Sequence, residues 1–312
     1  MAGVLLGFGV VLMLIAIGLL SVALLPYATS SQISAGLTPA IYYITNPALI
    51  FTLVAETDLR EVISLYAPVA LITAIVAGAI AIFGLKVFFN QSLSEATPSA
   101  MAASYVNAGN IGLPIALFAV GSTLPVVGVL VIQLLLLAPI YLAAFSVLSK
   151  FRAQQTHAWR TVVGAAANPV TVAALIGAVF SLFDWKLPEI IWTPVDMLGQ
   201  ASVPLLLMLF GMSVYVQTSM RRVKRLPELL WLLIIKLVFM PTVAWLLGAY
   251  VFGLDGKELF GAVAMAALPS AQNVFLFARH FSMSTSIVRD VILASSILSL
   301  PVIMSITFIL VP

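Results

Sequence analysis

Two asparagines, two glycines and a proline crowd into eight residues of an otherwise apolar stretch, Asn107-Ala108-Gly109-Asn110-Ile111-Gly112-Leu113-Pro114. Amide side chains donate and accept hydrogen bonds without charge, and Gly109 and Gly112 let a backbone turn or be approached closely. Pro114 lacks the N–H that the carbonyl of Asn110, four residues earlier, would otherwise accept. The spacing predicts that a helix unwinds here. In hydrocarbon, unsatisfied backbone survives only inside protein or against a water-filled cavity. A cavity at mid-membrane is where a carrier binds its cargo.

A second stretch has the same chemistry: Ala267-Leu268-Pro269-Ser270-Ala271-Gln272-Asn273 again sets small residues, a proline and amides within an apolar segment. Pro269 withholds an N–H from the carbonyl of Met265, and Gln272 and Asn273 follow. Each stretch stands at a similar distance from an earlier proline in its own half of the chain. Pro47 to Pro114 is 67 residues and Pro204 to Pro269 is 65. The flanking runs, Asn46-Pro47-Ala48-Leu49-Ile50 and Val203-Pro204-Leu205-Leu206-Leu207, match in kind. Paired interruptions at corresponding positions of two halves point to a binding site.

The elements that must position these residues are membrane helices. Hydrophobic residues make up 62% of the 312 and charged residues 8%, with mean hydropathy +1.18, far from the globular norm of roughly a quarter charged. At about 20 residues per span the chain accommodates roughly ten spans and no soluble domain. Apolar runs place them near 3–25, 34–54, 63–85, 98–120, 125–148, 161–182, 191–216, 229–252, 258–279 and 286–310. The halves, 1–150 and 151–312, hold five spans each. An odd number makes the second half enter from the opposite side. The expected fold is therefore an all-α polytopic membrane protein of two inverted five-helix repeats, with helices 4 and 9 broken at their prolines and crossed.

Charge sets the orientation. With the N-terminus outside, Lys86, Lys150, Arg152, Arg160, Arg221, Arg222, Lys224, Arg225, Arg279 and Arg289 fall in inner connections, ten of the 14 basic residues. Arg60, Lys186 and Lys257 fall outside, and Lys236 lies within a span. The positive-inside bias predicts that both termini face outward. The first span has no basic residue before it and is long, against a cleaved signal peptide. The pI near 9.2 reflects these loops and bears on topology rather than on nucleic acid. No cysteine is present, which excludes disulfides and thiolate nucleophiles.

Asn107 and Asn110, three apart, would share a helix face. Half-helix N-termini carry unpaired N–H groups and partial positive charge, so paired breaks with amides favour an anion without a fixed cation. The alternative is that Asn and Gly pack helices and Pro kinks them. Gln133 in the fifth span touches cargo or makes an interhelical hydrogen bond; Tyr105 walls the pocket or packs. Lys236, about 10 Å past Leu229 at the helical rise, snorkels to the inner headgroups or attracts an anion. Asp196 is solvated at the interface or takes part in proton coupling. Glu56, Asp58 and Glu61 are solvated outside. Met208 and Met212 pack. His157 and His280 have no partner at metal-ligand spacing, and no cofactor is implied.

The Asn107-x-Gly109-Asn110-x-Gly112-x-Pro114 stretch, Asn46-Pro47, Asn168-Pro169 and the Val203-Pro204 run with Gly211 resemble the auxin efflux carrier family, including its bacterial members. The resemblance covers essentially the whole chain. It implies a ten-span fold related to bile-acid symporters and sodium/proton antiporters, with a fixed panel from spans 1, 2, 6 and 7. A crossover bundle from spans 3–5 and 8–10 would carry organic anions by an elevator motion. By position Asn107, Asn110 and Pro114 fall in the first crossover, and Pro269 and Asn273 in the second. The connection near 149–160 is short beside the long cytoplasmic loop of plant members, so auxin is not the default cargo. A homodimer through the panel and a bacterial plasma (inner) membrane location follow from the same resemblance.

An intramembrane enzyme would need an acid, base, metal or activated nucleophile, and no paired carboxylates, His-Glu-x-x-His or Ser/His combination appears. There is no Gly-x-x-x-x-Gly-Lys-Ser/Thr loop for ATP. A channel using the broken helices as a filter is the alternative to a secondary carrier. Sodium coupling would want converging oxygens; the breaks offer Ser104, Ser270 and amides but no carboxylate. Proton coupling or uncoupled flux stands ahead of it.

Overall fold

A computed structural model describes residues 2–150, 169–218 and 225–310, without the side chains of 2–8, 27, 149, 150, 213–218 and 280. Arg152, His157, Arg160, Asn168, Arg221, Arg222, Lys224 and the side chains of Lys150 and His280 lie outside these described residues. Those that are described are all-helical. Twelve continuous helices run α1 (Ala2–Leu24), α2 (Ala28–Glu56), α3 (Leu59–Val87), α4 (Leu93–Ser104), α5 (Ala108–Val120), α6 (Leu124–Leu148), α7 (Pro169–Leu182), α8 (Glu189–Thr218), α9 (Leu226–Val251), α10 (Gly256–Ala266), α11 (Asn273–His280) and α12 (Ser286–Leu310). Among them α2, α3, α6, α8, α9 and α12 are long and apolar enough to cross a membrane. Gly9–Leu24, α5 and α7 are shorter apolar helices.

The helix ends are written in local chemistry. Asp58 opens α3 by accepting hydrogen bonds from the N–H groups of Arg60 at 2.9 Å and Glu61 at 3.4 Å, which satisfies first-turn donors that have no helical partner. Ser92 and Glu95 form a capping box at the start of α4. Gly121, at φ +75°, closes α5 in a left-handed conformation that a side chain would strain.

Among the described residues seven stretches widen to i→i+5 hydrogen bonding, and five of them follow a rule. Ile41–Thr45, Val62–Tyr66, Ala108–Gly112, Gln133–Leu137 and Ile235–Phe239 each end two residues before a proline: Pro47, Pro68, Pro114, Pro139 and Pro241. A proline inside a helix lacks a donor and crowds the carbonyl of the preceding turn. One extra residue in that turn relieves the clash without ending the helix.

This corrects one expectation. The helix does not unwind at Gly109–Pro114: it is already helical from Ala108 and passes through Pro114 on a wide turn. Its extended residues lie upstream, at Tyr105 to Asn107. The second break falls where the sequence suggests, since α10 stops at Ala266 and α11 resumes at Asn273.

The chain clusters into two compact units. One comprises Met1–Val62, Gly109–Val127 and Ala167–Arg221; the other comprises Ile63–Ala108, Gly128–Ala166 and Arg222–Pro312. Within the first, α1 packs on α8, and α2 packs on both α7 and α8. A Cβ at Gly211 would run into the Ile15 carbonyl, so α1 and α8 meet backbone to backbone. Within the second, α4 is surrounded by α3, the end of α6, α9, α11 and α12. Its residues from Ala96 to Ser104 are all buried.

Candidate functional site

The second unit brings the two non-helical stretches together. Val106 and Ser270 form an isolated antiparallel bridge. The Asn107 N–H donates to the Pro269 carbonyl at 2.8 Å, and the Ala271 N–H donates to the Tyr105 carbonyl at 3.1 Å. Backbone groups that lose their helical partners thus satisfy one another across 163 residues of sequence, as an apolar environment demands. The proline is compatible with this role because Pro269 contributes its carbonyl and no N–H is required of it.

A polar shell holds the pair. The Ser270 N–H donates to Ser295 Oγ on α12 at 3.1 Å, and Ser295 Oγ donates to the Ile292 carbonyl at 3.2 Å. Ser104, the last residue of α4, donates to the Ala100 carbonyl at 2.9 Å and shares a 2.7 Å hydrogen bond with Tyr141. Gly78 leaves room for that Tyr141 hydroxyl; a Cβ there would meet it at 2.5 Å. Ser295 and Tyr141 were missed in the sequence. The signal for Ser295 is the Ser295-Ser296-x-x-Ser299 spacing, which puts hydroxyls on the buried face of α12. Nothing in the sequence singles out Tyr141.

The remaining candidates are placed as follows. Tyr105, Asn107, Gln133, Lys236, Pro269, Ser270, Gln272 and Asn273 belong to the second unit, whereas Gly109, Asn110, Gly112 and Pro114 belong to the first. Tyr105 and Asn107 are buried, while Asn110 is half-buried and Gln272 and Asn273 are exposed. Asn273 is the first residue of α11 and Gln272 its N-cap, where the helix dipole favours a negative charge; the N–H groups of Val274 and Phe275 donate to the carbonyls of Ala271 and Gln272. Gln133 is buried where the wide turn of α6 begins. Ser270 Oγ has no hydrogen-bond partner.

Lys236 departs from one of its two expected readings. Its side chain is 0% exposed and its Nζ donates to Met240 Sδ at 3.5 Å, so it turns into the unit rather than snorkelling outward. The charged residues on the helices packed against it are Arg60, Glu61, Lys86, Glu95, Glu228, Arg289 and Asp290, all at helix ends. Arg289 and Asp290 form an ion pair at 3.0 Å. Asp196 accepts a hydrogen bond from Gln200 Nε2 at 2.6 Å. A cavity of about 880 Å³ in the first unit is lined by Glu56, Asp58, Arg60, Lys186 and Trp192 among others, and holds none of the candidate site residues.

The profile of the family described as membrane transport protein matches residues 10–307. The chain belongs to this family, that of the auxin efflux carriers. It is 28% identical over 269 residues, 83% of this chain and 81% of the relative, to a protein of Rhizobium meliloti (strain 1021) provisionally named a malonate transporter. It is also 28% identical over 149 residues to auxin efflux carrier component 6 of Arabidopsis thaliana, covering 46% of this chain and 26% of that protein. An auxin efflux carrier family member with several helices of membrane-spanning length is an integral multi-pass transporter and not an enzyme.

Proposed function

We propose that this family member is a secondary carrier of a small organic anion, a mono- or dicarboxylate, with its cargo held at the two helix interruptions. The observation that carries the proposal is the mutual pairing of Tyr105–Asn107 with Pro269–Ala271. It draws together the starts of the helices that follow the two breaks, Ala108 and Asn273, whose dipoles favour a negative charge, with the amides of Asn107, Gln272 and Asn273 at these starts and Asn110 as a further amide of the proposed set. The name of the Rhizobium relative supports a dicarboxylate. Lys236 and Gln133 extend the polar set, with Tyr105 as a wall.

In this proposal ten spans form two inverted repeats whose fourth and ninth helices cross. Spans 3–5 and 8–10 move the cargo while spans 1, 2, 6 and 7 stay fixed and hold a second copy. Both termini face the outside of a bacterial inner membrane, in keeping with the ten basic residues of the inner connections. Cysteines introduced near 30 and 222 should label only from inside; outside labelling at 222 reverses the orientation. Spin labels on spans 2 and 9 should shift along the membrane normal when cargo is added, and a constant separation rules the elevator out.

Counterflow in proteoliposomes tests the function. Vesicles preloaded with unlabelled malonate, succinate or acetate should accumulate the matching labelled acid transiently, with saturation. Repeating the assay with and without sodium and pH gradients identifies the coupling ion. Conductance at channel rates, or flux that never saturates, would replace the carrier with a channel.

A further inference from the structure

The first unit contains a second matched pair of residues, away from the helix interruptions. Thr45 stands two residues before Pro47 and Ser202 two residues before Pro204, at corresponding positions of the two halves. Thr45 Oγ1, Ser202 Oγ and the adjacent Asn46 Oδ1 are all buried, with residue exposures of 7%, 0% and 8%, and none has a hydrogen-bond partner. This is unusual within the same helix. Thr38 donates to the Ser34 carbonyl and Thr52 to the carbonyls of Ala48 and Leu49. Buried polar groups are costly unless paired, and most are paired.

The helix register brings these oxygens to one level. Phe51 lies against Trp192 with ring centroids 6.0 Å apart, and Gly199 abuts the backbone of Leu49. As α8 advances, its partner in α2 recedes, so the two helices pack antiparallel. Ser202 is one turn beyond Gly199, and Asn46 and Thr45 are one turn before Leu49. The wide turn Ile41–Thr45 packs on α8. Pro204 provides no N–H to the Gln200 carbonyl, which adds a fourth oxygen to the same turn.

We propose that Thr45, Asn46 and Ser202 form a binding site for a sodium ion within the first unit. The donors are neutral oxygens, hydroxyl, amide and carbonyl, which suit a hard cation. No carboxylate lies at this level: the acidic residues of α2 and α8 are Glu56 at the far end of α2, and Glu189 and Asp196 in the first turns of α8. A divalent ion would therefore go uncompensated, whereas a monovalent one is matched by the dipoles of these four oxygens. The site is independent of the cargo and its coupling.

Thermal unfolding of the full chain in detergent tests this, with sodium chloride exchanged for potassium or choline chloride at constant ionic strength. Sodium should raise the midpoint on the order of 3 °C over choline. Thr45→Val and Ser202→Ala should each raise the sodium concentration for half the effect at least tenfold, while Thr45→Ser keeps it. Should Thr45→Val fail to fold, Ser202→Ala and Thr45→Ser decide. No difference between sodium and choline overturns the site and leaves the oxygens to water alone. An equal rise in potassium overturns sodium as the ligand. A sodium effect unchanged in the variants places the ion elsewhere and overturns these residues.

Discussion

The two interruptions differ in what their prolines do. Pro269 sits inside the second one, with helix ending three residues before it and resuming four residues after it. Pro114 lies seven residues beyond the extended Asn107, within a helix that widens ahead of it and continues. A proline therefore does not by itself break a membrane helix. Where the preceding turn can take an extra residue, as before Pro47, Pro68, Pro139 and Pro241 as well, the helix absorbs it. The first interruption has another cause: backbone at Tyr105 and Asn107 finds its partners in Ala271 and Pro269 instead of in its own helix.

If pairing rather than proline sustains the breaks, the largest effect should come from deleting one hydrogen bond of the pair. Ala271→Pro removes the N–H donated to the Tyr105 carbonyl and leaves that carbonyl unpaired in the bundle interior. Stability should fall by about 3 kcal/mol, the upper end for a buried group left alone, and counterflow should vanish. Chemical denaturation in mixed micelles measures the first quantity. Wild-type stability in this variant would show that the pairing is incidental.

Next come the amides that follow each break. Replacing Asn273 or Asn110 with Ala removes one hydrogen bond to a charged cargo, worth about 1.5–3 kcal/mol, or roughly ten- to a hundredfold in affinity. Folding should be nearly unaffected, because Asn273 is exposed and Asn110 half-buried. Calorimetric titration with the acid that gives counterflow would check this. Equal affinity in both variants would remove the amides from the site; loss in only one would make the two interruptions unequal in binding as they are in structure.

Membrane helices, the proline at the second break and the polar character of both breaks were legible in the sequence, because composition and residue type dictate them. The position of the first break was not. Asn107, Gly109, Asn110, Gly112 and Pro114 look like the disruption itself, yet Tyr105 and Val106, ordinary apolar and aromatic residues, carry the extended backbone. What fixes them is a contact such as that of Val106 with Ser270, 164 positions away, which no local pattern encodes. The same holds for Ser295, whose partner is a backbone N–H in another helix. Lys236 illustrates the opposite limit. Its place in the chain left two orientations open, and only the packing of α3, α4 and α12 around the wide turn settles that it points inward.

The smallest effect should come from Pro114 itself, and it separates the two roles of proline. Pro114→Ala restores an N–H to a helix that already continues through this residue, so the backbone has no break to repair. Helix propensity favours Ala over Pro by about 3 kcal/mol in a regular interior. Here the wide turn Ala108–Gly112 already accommodates the ring, so most of that difference is not available, and stability should change by less than about 1 kcal/mol. Narrowing the turn to regular geometry would instead rotate Asn110 relative to the residues after Pro114, by roughly the 100° that one residue subtends in an α-helix. Affinity for the cargo should then fall while the unfolding midpoint barely moves. Pro269→Ala provides the contrast, since an alanine there permits α10 to extend at the expense of the pairing, and both quantities should fall. Parallel loss of stability and affinity in Pro114→Ala would mean that its ring, and not the wide turn before it, holds the first interruption in place.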